Sequence, residues 1–138
     1  MFTPGRRTTV LVPSGPANDH KRKHLFVLLT DTYGPAKQIL MAPVCSVPAT
    51  GTYDNSCLVA SGDHPFLQHA SYVAYDKCRV EQAVALENLV KSGYMIEKEP
   101  ASEDLVASIS AGLKKSKFAR PFAKELLKEF ENSQKPPK

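Results

Sequence analysis

Two apolar stretches dominate the chain: Leu25 to Thr30 (LFVLLT) and Ile39 to Val47 (ILMAPVCSV), separated by DTYGPAKQ. The first has no alternation between polar and apolar positions, which predicts a strand buried on both faces. Gly34 and Pro35 between the two supply a turn. Pro43 interrupts the second run. A proline has no ladder N–H to donate, so the pattern predicts an edge or a bulge there, with Cys45 and Ser46 aimed by the change in backbone direction. Ahead of this pair, Thr8 to Val12 (TTVLV) is β-branched and predicts a first strand. The intervening PSGPANDHKRK is a polar loop built from turn-favouring residues. Past Val47, Ser56 to Ala60 predicts a short strand, and Phe66 and Leu67 of GDHPFLQH are expected to tuck under the sheet. Ser71 to Val80 alternates as a strand leading into a helix.

After Val80 the period changes from two towards 3.6. Val84, Leu86, Leu89 and Val90 fall near helical spacing, and Gly93 stands where a helix would stop. A second helix is expected from Ser102, a capping residue, followed by Glu103 and Asp104 at the positive end and Lys114 and Lys115 at the negative end. Its apolar stripe is Leu105, Ile109 and Leu113. Gly112 should weaken its last turn by up to ~1 kcal/mol relative to alanine. A third helix runs from about Pro121 to Asn132, with Pro121 in the first turn and Phe122, Leu126, Leu127 and Phe130 on its buried face. The closing residues from 134 to 138 are expected to be a disordered tail. Strands first and helices last predict an α+β domain, or a small barrel with a helical annex, in one domain of 138 residues.

Composition changes this picture little. Hydrophobic residues at 42% and charged residues at 23% are ordinary for a folded domain. The net charge of +4 permits an anionic partner without requiring one. Cys45, Cys57 and Cys78 are widely spaced with no CxxC, which favours free thiols in a reducing compartment. No apolar run approaches the ~20 residues that span a bilayer, and MFTPGRRTT has no signal-peptide apolar core. The expectation is a cytoplasmic protein without membrane contact.

The candidate chemistry is sparse. His64 and His69 are five apart without a paired cysteine motif, so no metal site is expected; their rings are better placed to bond nearby backbone in a turn. GxxxxGK[ST], GxGxxG and HExxH are absent, which removes the common ATPase, dinucleotide and zincin readings, and no cofactor is implied. Cys57 and Cys78 fit small buried apolar positions better than nucleophiles. RNA cleavage needs less signature: a proton acceptor near the 2′-hydroxyl, cationic donors for the phosphorane and a cationic groove for the backbone. His20, Lys21, Arg22, Lys23 and His24 supply cations and imidazoles where the polar loop enters the apolar strand, and Ser46 supplies a hydroxyl. A basic run is also what a solvated surface looks like. Tyr33, Tyr53, Tyr72 and Tyr75 are candidates for stacking on unpaired bases or, alternatively, for packing on the sheet.

In their order, KHLFVLLTD, ILMAPVCSV with its central proline, and SYVAYDKCRVEQAVALENL resemble the MazF/PemK toxin family over roughly Leu25 to Gly93. The resemblance implies a small SH3-like β-barrel, which would take up about residues 8–80; the C-terminal helical extension expected over 81–133 goes, after Glu99, beyond the family's usual barrel. It implies a toxin–antitoxin endoribonuclease that cuts single-stranded RNA and is neutralised by an antitoxin partner; attack by the 2′-hydroxyl would need no metal, and the helices after Glu99 are a candidate surface for a homodimer or a partner. The family's arginine at the start of the second strand matches Lys23, with Arg22 beside it, and its threonine or serine at the end of the third matches Cys45 with Ser46. The resulting catalytic candidates are Arg22, Lys23, His24, His20 and Ser46, with Lys21, Tyr33 and Cys45 as RNA contacts. The alternative is a protein-interaction module that uses the same scaffold without catalysis.

Overall fold

The computed structural model describes residues 2–13 and 23–134. His20, Lys21 and Arg22, and the tail beyond 134, lie outside the described residues. Among the described residues seven strands form one antiparallel sheet: β1 (Thr9–Pro13), β2 (Lys23–Leu28), β3 (Gln38–Ser46), β4 (Leu58–Val59), β5 (Ser71–Val73), β6 (Arg79–Gln82) and β7 (Ile96–Lys98). The path is β4-β5-β3-β2-β1-β7, with β6 also on β3. Three helices accompany it: α1 (Ala83–Lys91), α2 (Glu103–Lys115) and α3 (Pro121–Ser133).

The apolar run at the start of β2 is buried on both faces, as its lack of alternation predicts. Leu25, Val27 and Leu29 point into one core with Leu40, Ala42 and Val44, whereas Phe26 and Leu28 point into another with Ile39 and Met41. Helices α2 and α3 cover the first face through Leu105, Val106, Ile109, Leu113, Ala123 and Leu127. Leu86 of α1 and Met95 cover the second. Both faces of β2 and β3 are thus packed under helices. The MazF/PemK resemblance implies a closed SH3-like barrel; the sheet is instead open, with β4 and β7 as the ends of its path.

Pro43 departs from its expected place. It sits in the middle of β3, a central strand, opposite Phe26. Its carbonyl accepts from the Ala74 N–H at 3.1 Å on the other side, where the neighbouring chain leaves the ladder for a 3-10 turn at Tyr75–Lys77 between β5 and β6. The missing N–H therefore faces an interruption. The irregularity belongs to the partner strand, and β3 runs on to Ser46.

Strand β7 is absent from the sequence expectation. Three residues (IEK) are too few to show a period, and their pairing with β1 is decided by the chain's return from α1. Gly93, at φ +84°, makes that return in a left-handed conformation favourable to glycine. In α2, the Ser102 hydroxyl accepts the Leu105 N–H at 3.1 Å, the expected N-cap. Pro121 opens α3, as expected. Phe122, expected in its buried face, is 44% exposed; Leu127 and Phe130 face inward as expected, with Ala123, and Leu126 is partly buried against the same core. Leu67 is buried as expected, but its neighbour Phe66 is exposed.

Candidate functional site

The antiparallel register places the start of β2 beside the end of β3, with Leu25 opposite Val44, and Ser46 opposite Ser71 of β5. Strand alternation then fixes which side chains share a face. Lys23 follows Leu25, and Ser46 follows Val44, onto the face covered by α2 and α3. Lys98 joins them from β7, because it pairs with Thr9 two residues from Leu11 on that same face. Beyond the edge of the helical cover these residues line an open groove of about 580 Å³. Its other wall is the loop 65–69, which brings Phe66, Gln68 and His69.

Two hydrogen bonds hold that wall in place. The His64 ring is 1% exposed. Its Nδ1 accepts the Phe66 N–H at 3.0 Å, which leaves the proton on Nε2 to donate to the Glu99 carbonyl at 2.6 Å. The Thr9 hydroxyl donates to that same carbonyl at 2.7 Å. The loop, the segment after β7 and β1 are thus tied at one oxygen. The expectation that His64 bonds backbone from within a turn is met, and one of its partners is 35 residues away in the chain.

The sequence candidates divide. Lys23 and Ser46 come together in the groove. His24 borders it, but alternation turns its ring to the opposite face, the side of Val12 and Phe26. Cys45 also faces that opposite side, in register with Tyr72. Tyr33 is at the far end of the β2–β3 hairpin, bridged to Gln38 at the start of β3 and so roughly 27 Å along the strand from Ser46 at about 3.4 Å per residue. Its ring packs edge-on against Phe130 at 6.2 Å. His20, Lys21 and Arg22 are outside the described residues. Missing from the sequence candidates were Lys98 and Glu99, which reach the groove through the unforeseen β7, and His69, which the sequence raised as a metal ligand and then read as a turn residue.

A second constellation lies at the other end of β5. Tyr72 stacks at 5.0 Å on Tyr53, tilted by 41°. Burial, and then the proximity of Cys45 and Asp76, pushes the Tyr72 phenol above its ordinary range. Next to them Asp54 accepts from the Ser56 N–H and hydroxyl with Oδ1 and from the Ser116 hydroxyl with Oδ2, at 3.0, 2.6 and 2.6 Å. Burial pushes its carboxyl up, but the hydrogen bonds from Ser116 and Ser56 outweigh this and hold it below the usual carboxylate range. The cysteines form no disulfide. Burial, assisted by Asp76 and Asp54, pushes the Cys78 thiol up to about 12, and burial also raises Cys57, so neither is a thiolate nucleophile near neutral pH.

No group of three or more His, Cys, Asp and Glu residues among the described residues is arranged to hold a metal ion, and no helix among them is long and apolar enough to cross a membrane. No family model, curated protein or solved structure matches the chain.

Proposed function

We propose that the groove holds single-stranded RNA and cleaves it by attack of the 2′-hydroxyl on the adjacent phosphorus. The observation that carries this reading is the meeting of Lys23, Lys98, His69 and Ser46 in one open groove. The lysines supply charge to hold the backbone and to stabilise the phosphorane. His69, exposed on the loop wall, accepts the 2′ proton, and solvent protonates the departing 5′ oxygen. Ser46 donates a hydrogen bond to a phosphate oxygen. The resemblance of β2 and β3 to strands of the MazF/PemK toxins points to the same reaction and to neutralisation by a small antitoxin. In place of the family's arginine, Lys23 contributes a point charge rather than a bidentate fork. His69 takes the proton-transfer role for which the sequence suggested His24 or His20.

Incubation of the purified chain with a long single-stranded RNA in EDTA tests this. Wild type should yield fragments ending in cyclic phosphate. His69→Ala should slow cleavage by about 10²-fold or more, the range for loss of a general base. Lys23→Ala should slow it by on the order of 10², the range for loss of a preorganised donor. Intact RNA with wild type refutes cleavage. A second reading, a groove for a protein partner, is favoured by the exposed Phe66 on the groove wall. In that case a pulled-down partner should be lost with Phe66→Ala and retained with His69→Ala.

A further inference from the structure

Two adjoining hollows sit apart from the groove and share no lining residue with it. The first, of about 230 Å³, is walled by Tyr53, Tyr72 and Phe118, with Lys77 and Asp76 at its rim. The second, of about 380 Å³, opens on the other side of Phe118 and is bordered by Lys115 and Lys117. Phe118 is 61% exposed although it is a large apolar side chain. Its backbone is fixed: the Ser116 hydroxyl accepts the N–H groups of Phe118 and Ala119, both at 3.1 Å, while donating to Asp54. The stretch KKSKFARPFAK, residues 114–124, carries five cations and no acid. Lys77, Lys115 and Lys117 take part in none of the ion pairs among the described residues.

We propose that this aromatic hollow is a stacking site for one nucleotide, with the base against Tyr53, Tyr72 and Phe118 and the phosphates on Lys77, Lys115 and Lys117. A flat heteroaromatic ring matches three aromatic walls, and stacking of this kind tolerates any base. Three aromatic walls also suit an organic cation. The three lysines around the mouth oppose that guest and favour one that brings its own negative charge. Asp54 lines both hollows and stays ionised, but its oxygens are turned to hydrogen bonds from the protein, and with Asp76 it is outnumbered by Lys77, Lys115 and Lys117. Asp76, exposed on the rim, offers an acceptor for an exocyclic amine, as carboxylates do towards cytosine. The nucleotide can be free or part of a single strand; the chemistry recognised is the same.

The chain has no tryptophan and five tyrosines, so its intrinsic fluorescence reports on tyrosines such as the Tyr53–Tyr72 pair. Full-length protein is titrated with cytidine monophosphate, with a labelled 12-residue oligocytidine read by anisotropy, and with tetramethylammonium. Saturable quenching by the mononucleotide assigns the site to free nucleotides. Binding of the oligomer alone assigns it to a strand. In either case Phe118→Ala should weaken binding about tenfold, in the range for loss of one stacking contact, and Lys77→Ala and Lys117→Ala should each lower the salt dependence by close to one ion. The same titrations on Lys23→Ala separate this site from the groove, because the Phe118 effect should persist there. Equal binding by wild type and Phe118→Ala, no binding of either nucleotide form, or quenching by tetramethylammonium alone would overturn the proposal.

Discussion

Replacing Gly112 by alanine tests the structural reasoning most sharply, because local and tertiary arguments disagree in sign. Within α2, alanine is favoured over glycine by about 1 kcal/mol, so a helix considered alone should be stabilised. The packing says otherwise. A Cβ at this position would stand 2.8 Å from the Cys57 Cβ and 3.0 Å from the Ser56 carbonyl oxygen, and closer still to the Tyr75 hydroxyl. Two of these neighbours are backbone or the first atom of a side chain, and cannot swing aside. The third is the hydroxyl that donates to the Ile109 carbonyl at 2.6 Å, one turn earlier in the same helix. Overpacking of a filled core typically costs 1–3 kcal/mol, and displacing Tyr75 forfeits a buried hydrogen bond worth roughly 1 kcal/mol. Set against the propensity gain, the expected net is a loss of about 1–3 kcal/mol. Urea denaturation followed by circular dichroism would read it as a lower midpoint at unchanged slope. Tyr75→Phe, which removes the hydroxyl, should cost roughly 1–2 kcal/mol alone and make the alanine cheaper when combined with it, a coupling read from the double-mutant cycle. A Gly112→Ala protein more stable than wild type would refute the close packing of α2 on Tyr75 and Cys57.

Two further expectations concern caps and charge. Ser102→Ala removes the acceptor for the Leu105 N–H and should cost about 1 kcal/mol by denaturant melting, whereas Ser102→Asp, which can cap in the same way, should stay near wild type; equal stability of all three would remove the cap from the account of α2. Asp54, held below its ordinary range in the folded protein, contributes stability that is fully present above the unfolded value of about 3.9 and is lost as pH falls through the lower folded value. The stability gap between wild type and Asp54→Asn should therefore be constant from pH 7 to 5 and narrow below pH 4. A constant gap down to pH 2 would show that the hydrogen bonds of Ser116 and Ser56 do not hold the charged form.

Much of the core was legible in the chain itself. The continuous apolar run in β2 required burial on two faces, and the Ser102 cap and Pro121 start of the later helices are local chemistry that neighbours do not alter. What covers the two faces was not legible. An unbroken apolar strand is equally compatible with any partner that excludes water, because hydrophobic burial has no direction; only the folded chain shows α1 on one side, α2 with α3 on the other, and a sheet that is open. The candidate site divided for a related reason. Lys23 and His24, or Cys45 and Ser46, are neighbours in sequence, but a strand sends successive side chains to opposite faces. The groove is assembled instead from residues 23, 46, 69 and 98, whose proximity depends on register and on a strand too short to announce itself. Gly112 was read from sequence as a flaw in a helix. Tertiary packing makes it the position where α2 comes close enough for Tyr75 to reach its backbone.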